Sequence, residues 1–236
     1  MLDIQDGLTI LVDKPYQWTS FDVVNKIRWN LKKKLGVKNV KVGHAGTLDP
    51  LASGLLIICC GKMTKRIDEF TGMDKEYTGT ITLGATTPCF DKELPPDAFY
   101  PTEHITEELL RETAKQFVGL IQQYPPIYSA VKVDGQKGYL AARKGKDIEL
   151  KAREITIIEF ELTRIAMPEV DFRVVCSKGT YIRSLANDFG KALNSGAYLS
   201  ALCRTQIGEY KLSNALSIED TIKRIEAAPA PPVEEK

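Results

Sequence analysis

One stretch concentrates the residues that could do chemistry. It is Gly43-His44-Ala45-Gly46-Thr47-Leu48-Asp49-Pro50-Leu51-Ala52-Ser53-Gly54. It holds one of the chain's two histidines, a carboxylate and three glycines. Asp49 precedes a proline, which pushes its backbone out of the helical region and fixes it in an extended or turn conformation. A loop carried between two rigid elements, as this one is expected to be, is what a catalytic loop needs. The plain alternative is a turn joining two strands, with Asp-Pro and glycine as punctuation. Two further places carry reactive or polar groups. Tyr77 opens an alternating run, where an aromatic is commonly a core or edge residue. Tyr181 and Arg183 stand two apart where a Lys178-Gly179-Thr180 turn enters a helix. A cation at a helix start opposes the macrodipole, so Arg183 calls for a compensating carboxylate from another loop.

The elements that position these groups follow from periodicity. Leu8 to Val12 reads as a short strand stopped by Asp13-Lys14-Pro15. A helix from Ser20 places Val23, Val24, Ile27, Leu31 and Leu35 at helical spacing and stops at Gly36. Its outer face and the segment after it carry Arg28, Lys32, Lys33, Lys34, Lys38 and Lys41 with no acid among them. A solvated face and a phosphate-contacting patch are both open readings of that cluster. Lys38 to Val42 is expected as a strand before the Asp49 loop, and Leu55 to Cys60 as a buried strand after it. Gly54 and Gly61-Lys62 imitate a phosphate loop, but the glycine spacing is too long and apolar strand residues fill the gap. A short helix is expected over Thr64 to Phe70. Lys75 to Leu83 alternates as a strand, with Tyr77, Gly79, Ile81 and Leu83 on one face.

Pro88 to Pro101 is a proline-rich acidic loop. A helix runs from Thr106 to Phe117, capped by Thr106. An extended segment begins at Tyr124, Asp134-Gly135 makes a turn, and Tyr139 to Lys144 forms a short helix. Ile155 to Ile165 and Val170 to Cys176 pair as antiparallel strands. Helix Tyr181 to Leu193, strand Leu199 to Ile207 and helix Ser217 to Ala227 complete the order. This mixture predicts an α+β fold with a mixed, largely antiparallel sheet flanked by helices rather than a doubly wound one. Residues 1–226 are expected as one domain and 227–236 as a disordered, Pro-rich tail.

Composition limits the alternatives. The 236 residues are 43% hydrophobic and 27% charged, with a net charge of +1, so a globally basic binder is excluded while a local basic patch is not. No apolar run approaches the roughly 20 residues of a membrane helix. Met1 to Ile10 carries Asp3 and Asp6 and lacks the apolar core of a signal peptide. Five cysteines without a Cys-x-x-Cys pair suit buried thiols in a reducing cytoplasm. With histidines far apart, no metal site is expected.

The Gly43–Gly54 stretch, Lys75-Glu76-Tyr77, the run Pro125 to Lys132 with Gly135 and Tyr139, and Lys178 to Ala186 with Asp188 occur in that order. Asp13-Lys14-Pro15 with Thr19-Ser20 precedes them. Together, over about residues 8 to 210, they resemble the TruB family of tRNA pseudouridine synthases. The resemblance implies the pseudouridine synthase fold and conversion of uridine 55 in the tRNA T loop to pseudouridine, without cofactor or metal. It implies Asp49 as the nucleophile, attacking either C6 of the uracil or C1′ of the ribose. It implies that Tyr77 stacks on the extruded uracil, that Arg183 pairs with Asp49, and that Tyr181 lies by the target nucleotide. By the same resemblance His44 braces the gap left by the flipped base, Leu202 forms an apolar wall, and Lys14 supports the site. The partner would be the tRNA T-arm, met by a cytoplasmic monomer. Two positions depart from the family's pattern: Gln17 stands where glycine is frequent, and Cys203 where an arginine commonly precedes Arg204. The small C-terminal RNA-binding domain of many bacterial members is expected to be absent or reduced to a helix.

Overall fold

A computed structural model describes residues 7–128, 132–133, 136–137 and 150–229. The turn expected at Asp134-Gly135, the helix expected over Tyr139 to Lys144 and the tail from residue 230 lie outside the described residues. The chain divides into two compact units, Met1–Lys75 with Cys203–Lys236, and Glu76–Leu202.

The first unit holds β1 (Leu8–Lys14), α1 (Ser20–Leu35), β2 (Val42–Ala45), β3 (Ala52–Cys60) and α2 (Ile67–Gly72). Strand β3 is its spine. It pairs antiparallel with β1 from Leu8–Cys60 to Lys14–Gly54, and with β2 from Val42–Cys60 to Ala45–Ile57. Its apolar run is buried on both faces, which is why it lacks alternation. Leu56, Ile58 and Cys60 pack with Val23, Val24, Ile27 and Leu31 of α1. Leu55, Ile57 and Cys59 pack with Ala45, Phe70 and Ile207. Helix α1 starts at a reciprocal cap: the Asp22 amide donates to the Thr19 hydroxyl at 3.0 Å, and the Thr19 amide donates to the Asp22 carboxylate at 2.9 Å. It ends at Gly36, in the left-handed region at φ 65°.

The second unit holds β4 (Lys75–Leu83, entered from the first), β5 (Ala85–Thr86), β6 (Ala98–Phe99), α3 (Glu107–Gln116), β7 (Gly119–Gln123), β8 (Lys132–Val133), β9 (Gln136–Lys137), β10 (Arg153–Ala166), β11 (Glu169–Cys176) and α4 (Ile182–Ala192). Strand β12 (Ala197–Ile207) belongs to it up to Leu202 and then re-enters the first unit, where β13 (Tyr210–Lys211) and α5 (Ile218–Ala227) follow. The strand order here is β12-β4-β11-β10-β7. β10 is antiparallel to both β11 and β7. Phe117, Phe160, Phe172 and Phe189 form a chain of edge-on ring contacts, with centroids 5.6 to 6.3 Å apart. The outer face of the sheet is polar: Arg173 pairs with Glu76 and Glu159, and Arg164 with Asp171.

The α+β expectation holds, with corrections to individual elements, among them a β5–β6 pair whose second strand lies in the segment expected as a loop. The strand before the Asp49 loop is Val42–Ala45, not Lys38 to Val42. Lys38, Asn39 and Lys41 are exposed, and β3 pairs only from Val42 onward. Strand β3 starts three residues earlier than expected, because Gly54 pairs with Lys14 at φ 101°. The helix expected over Thr64 to Phe70 is a 3-10 segment, Gly61–Arg66, followed by α2. Strand β7 was not foreseen; its five residues carry too short a pattern to separate it from a loop. Among the described residues no helix is long and apolar enough to cross a membrane, and no cluster of potential metal ligands occurs.

Candidate active site

In the first unit, the Asp49 turn is held from three directions. Asp49 is half-buried, and the Ala52 amide donates to its carbonyl at 3.1 Å, closing the turn over Pro50. The buried Ser20 hydroxyl, in the first turn of α1, accepts from the Leu48 amide at 2.8 Å and donates to the Leu48 carbonyl at 3.1 Å. The Gln17 amide donates to the Pro50 carbonyl at 2.8 Å. Gln17 adopts φ 67°, the left-handed conformation that glycine takes most easily. The turn therefore keeps its shape with a non-glycine residue there.

The third support is Arg204, 1% exposed, on β12. Its Nε donates to the Leu55 carbonyl at 2.8 Å and its Nη2 to the Gly46 carbonyl at 3.1 Å. One guanidinium thus ties together the two shoulders of the loop. The glycines leave room for it. A Cβ on Gly54 would come within 2.4 Å of the Arg204 carbonyl, and one on Gly46 within 3.5 Å of its Nη1.

Lys14 is fully buried and donates from Nζ to the Trp18 carbonyl at 2.6 Å and the Pro15 carbonyl at 3.0 Å. Burial pulls its ammonium down to about 8; the Asp49 carboxylate works against that shift and Arg204 reinforces it. Lys14 therefore sits in the field of both the carboxylate and the guanidinium. His44 lies in β2 rather than in the loop, a correction to the sequence expectation. Burial, and next Arg204, lower its pKa, while the Gly46 carbonyl opposes them. Its Nδ1 makes no hydrogen bond among the described residues. A neutral ring of this kind suits stacking better than proton donation.

In the second unit, Tyr77 is buried near the start of β4. Gly79, two residues on, lets β4 lie close to β12: a Cβ there would come within 2.4 Å of the Ala201 carbonyl. Tyr181 is the N-cap of α4, with extended backbone. Gln123 clamps it in place. The Tyr181 amide donates to the Gln123 side-chain oxygen at 2.8 Å, and the Gln123 Nε2 donates to the Tyr181 carbonyl at 3.1 Å. Arg183 is 6% exposed. Its Nη1 lies 3.4 Å from the Asp91 carboxylate and donates to the Cys89 carbonyl at 3.2 Å, while Nη2 donates to the Tyr128 carbonyl at 3.1 Å. Asp91 thereby meets the demand of the helix-start arginine for a carboxylate from another loop. Leu202 is half-buried on β12.

The structure thus gathers Lys14, His44 and Asp49 around Arg204 in one unit, and holds Tyr77, Tyr181, Arg183 and Leu202 in the other. The basic cluster divides. Arg28 donates to the Val42 carbonyl at 2.9 Å and to Asn25, and Lys34 donates to the Glu226 carbonyl at 2.7 Å, so both brace the fold. Lys33, Lys38 and Lys41 are exposed and Lys32 is half-buried. Sequence reading missed Arg204 as a loop brace, Asp91 as an ion-pair partner and Gln123 as a clamp. The usable signal for Arg204 was a permanent cation inside an apolar strand, which has to find acceptors when buried.

A model of the TruB family pseudouridylate synthase N-terminal domain matches residues 32–182. A relative from Phocaeicola vulgatus named tRNA pseudouridine synthase B is 58% identical over 218 residues, 92% of this chain and 93% of its own. One of the same name from Flavobacterium johnsoniae is 59% identical over 214 residues, 90% and 93% of the two chains. Among solved structures, a chain in a Cbf5-Nop10-Gar1 complex superposes with a TM-score of 0.70 at 32% identity, over 93% of this chain and 54% of that one. A chain of an H/ACA RNP bound to a substrate RNA containing 2′-deoxyuridine gives 0.66 at 29% identity, over 93% and 53%. This chain spans about half the length of those two solved chains. Motifs, fold and comparisons agree: the chain belongs to the TruB family of pseudouridylate synthases and has the pseudouridine synthase fold.

Proposed function

We propose that this protein isomerises uridine 55 of the tRNA T loop to pseudouridine, with Asp49 as the nucleophile. The observation that carries the reading is the near-full-length match to relatives named tRNA pseudouridine synthase B. The target base leaves the RNA loop to reach the protein. The Asp49 carboxylate then adds to C6 of the uracil or C1′ of the ribose, and the N1–C1′ bond breaks. The base turns while held, C5 bonds to C1′, and the carboxylate leaves. The C5 proton departs and N1 gains one, so the sum is an isomerisation and uses no cofactor or metal.

The remaining roles rest on motif resemblance and on local geometry. Tyr77 stacks on the extruded uracil, Tyr181 lies beside the nucleotide, and Leu202 provides an apolar wall. The motif resemblance makes Arg183 the partner that aims Asp49, and Arg183 is itself held by Asp91. His44, neutral because it is buried, stacks where the base left the RNA. Lys14 and Arg204 give Asp49 a positive surrounding. Lys32, Lys33, Lys38 and Lys41 meet phosphates, with Arg28 and Lys34 adding charge from their braced positions. Residues 1–226 act as one catalytic domain, working as a cytoplasmic monomer on the T-arm.

The test is release of tritium from a T-arm RNA carrying 5-tritiated uridine at position 55. Asp49→Asn and Asp49→Ala are expected to abolish release while leaving RNA binding within a few-fold of the unaltered protein. Turnover by either variant would refute the nucleophile assignment. Mapping pseudouridine in total RNA treated with the protein fixes the substrate; product at another site without product at 55 would overturn the tRNA reading.

A further inference from the structure

The solvent face of α1 is not an ordinary charged helix face. Phe21 and Trp29 are each 59% exposed on it. Each ring has a cation over it. The Arg28 guanidinium carbon lies 5.9 Å from the Phe21 ring centroid, and the Lys33 ammonium 5.4 Å from the Trp29 centroid. The acid on the first turn of this face, Asp22, is engaged by the Thr19 hydroxyl and amide. The stripe therefore alternates ring and cation and presents net positive charge.

Its placement is equally informative. Phe21 directly follows Ser20, whose hydroxyl holds Leu48 beside Asp49. At 1.5 Å of rise per residue, Trp29 lies about 12 Å and Lys33 about 18 Å further along the helix axis. That is the reach of about three to five stacked nucleotides at about 3.4 Å each. Arg28 also donates to the Val42 carbonyl at the start of β2, the strand that carries His44. The stripe is thus built onto the same rigid pieces as the Asp49 loop.

We infer that this face of α1 is a second RNA-binding surface, on which Phe21 and Trp29 stack unpaired bases of the substrate RNA outside the reacting loop while Arg28 and Lys33 meet the adjoining phosphates. Charge selects a polyanion, and the exposed ring faces select one that offers flat apolar surfaces, which single-stranded nucleic acid does. The inference rests on the proposed RNA substrate and adds to it a base-stacking platform distinct from phosphate contact alone.

The experiment uses the full chain carrying Asp49→Asn, a T-arm stem-loop and a full-length tRNA transcript. The chain has two tryptophans, and Trp18 is packed against the core. Trp29→Phe therefore isolates the Trp29 signal. RNA is expected to quench the emission, and Trp29→Phe to remove that quench. In the otherwise unaltered protein, Phe21→Ala with Trp29→Ala is expected to raise the Kd for tRNA about 10-fold or more, with kcat at saturating RNA within about 2-fold. Saturating full-length tRNA that leaves Trp29 emission unchanged would overturn the inference. So would unchanged RNA affinity in the double variant, which would point to a protein-docking face instead. Pseudouridine formation by the unaltered protein separates the two levels. If it forms none, the functional reading fails and the stacking surface with it. If it forms pseudouridine normally and the double variant matches it in affinity, only the stacking surface fails.

Discussion

Replacing Arg204 by Met tests whether the Asp49 loop owes its shape to a single guanidinium. Arg204 makes two hydrogen bonds, to the Leu55 and Gly46 carbonyls, from a position 1% exposed. A hydrogen bond from a charged group contributes about 1.5–3 kcal/mol net, so two give about 3–6 kcal/mol. Removing the buried cation also removes its desolvation cost, which offsets part of that loss. The net destabilisation expected is about 2–4 kcal/mol, read from urea unfolding. Methionine fills similar volume, so the loss is not a cavity effect. Activity should fall further than stability explains. Measured well below the unfolding midpoint, turnover of T-arm RNA should drop by about 100-fold or more, since a misplacement of about 1 Å in reacting groups costs that much. Arg204→Lys should not rescue it, because one ammonium cannot reproduce a fork spanning two carbonyls. Arg204→Met with unchanged unfolding and unchanged turnover would refute the idea that this side chain shapes the loop.

Two other outcomes follow from the same geometry. Lys14 titrates at about 8 in the folded protein and near its ordinary 10.5 when unfolded, so between those values the unfolded chain binds more protons and stability rises with pH. The rise should total about 3 kcal/mol, at about 1.4 kcal/mol per pH unit, and should vanish in Lys14→Met. Cys59 and Cys60, pushed up to about 11 and 12 by burial, act in the opposite direction above pH 9, so the difference between the two proteins' unfolding curves is the quantity to measure. Arg183→Lys should keep the fold's charge but lose the combined reach to Cys89, Tyr128 and Asp91, costing about 1–3 kcal/mol of stability and, measured well below the unfolding midpoint, lowering kcat by about 10- to 100-fold; that stability loss with normal turnover would make Arg183 purely structural.

Much of the molecule was legible in the order of its residues. The spacing of Val23, Val24, Ile27 and Leu31 and the stop at Gly36 gave α1, because those features act within one or two helical turns. The alternation of Val170, Phe172, Val174 and Cys176 gave β11 for the same local reason. Short or mixed signals were misread. The strand placed on Lys38 to Val42 slid to Val42–Ala45, since register is decided by the partner strand and not by the segment itself.

The candidate site groups were likewise legible as types: a carboxylate fixed by a proline, a tyrosine opening a strand, an arginine at a helix start. Family motifs joined them into one chemistry. Only the tertiary structure showed what holds each group. Arg204 reaches Leu55 from 149 positions away, Arg183 reaches Cys89 from 94, and Gln123 clamps Tyr181 across 58. Hydrogen-bond partners so far apart in the chain leave no local pattern, because each exists only where burial removes water and forces a polar group to find its complement inside the protein. Sequence alone therefore determined which groups are present and which local elements carry them; the folded chain decided which buried charges hold them in place.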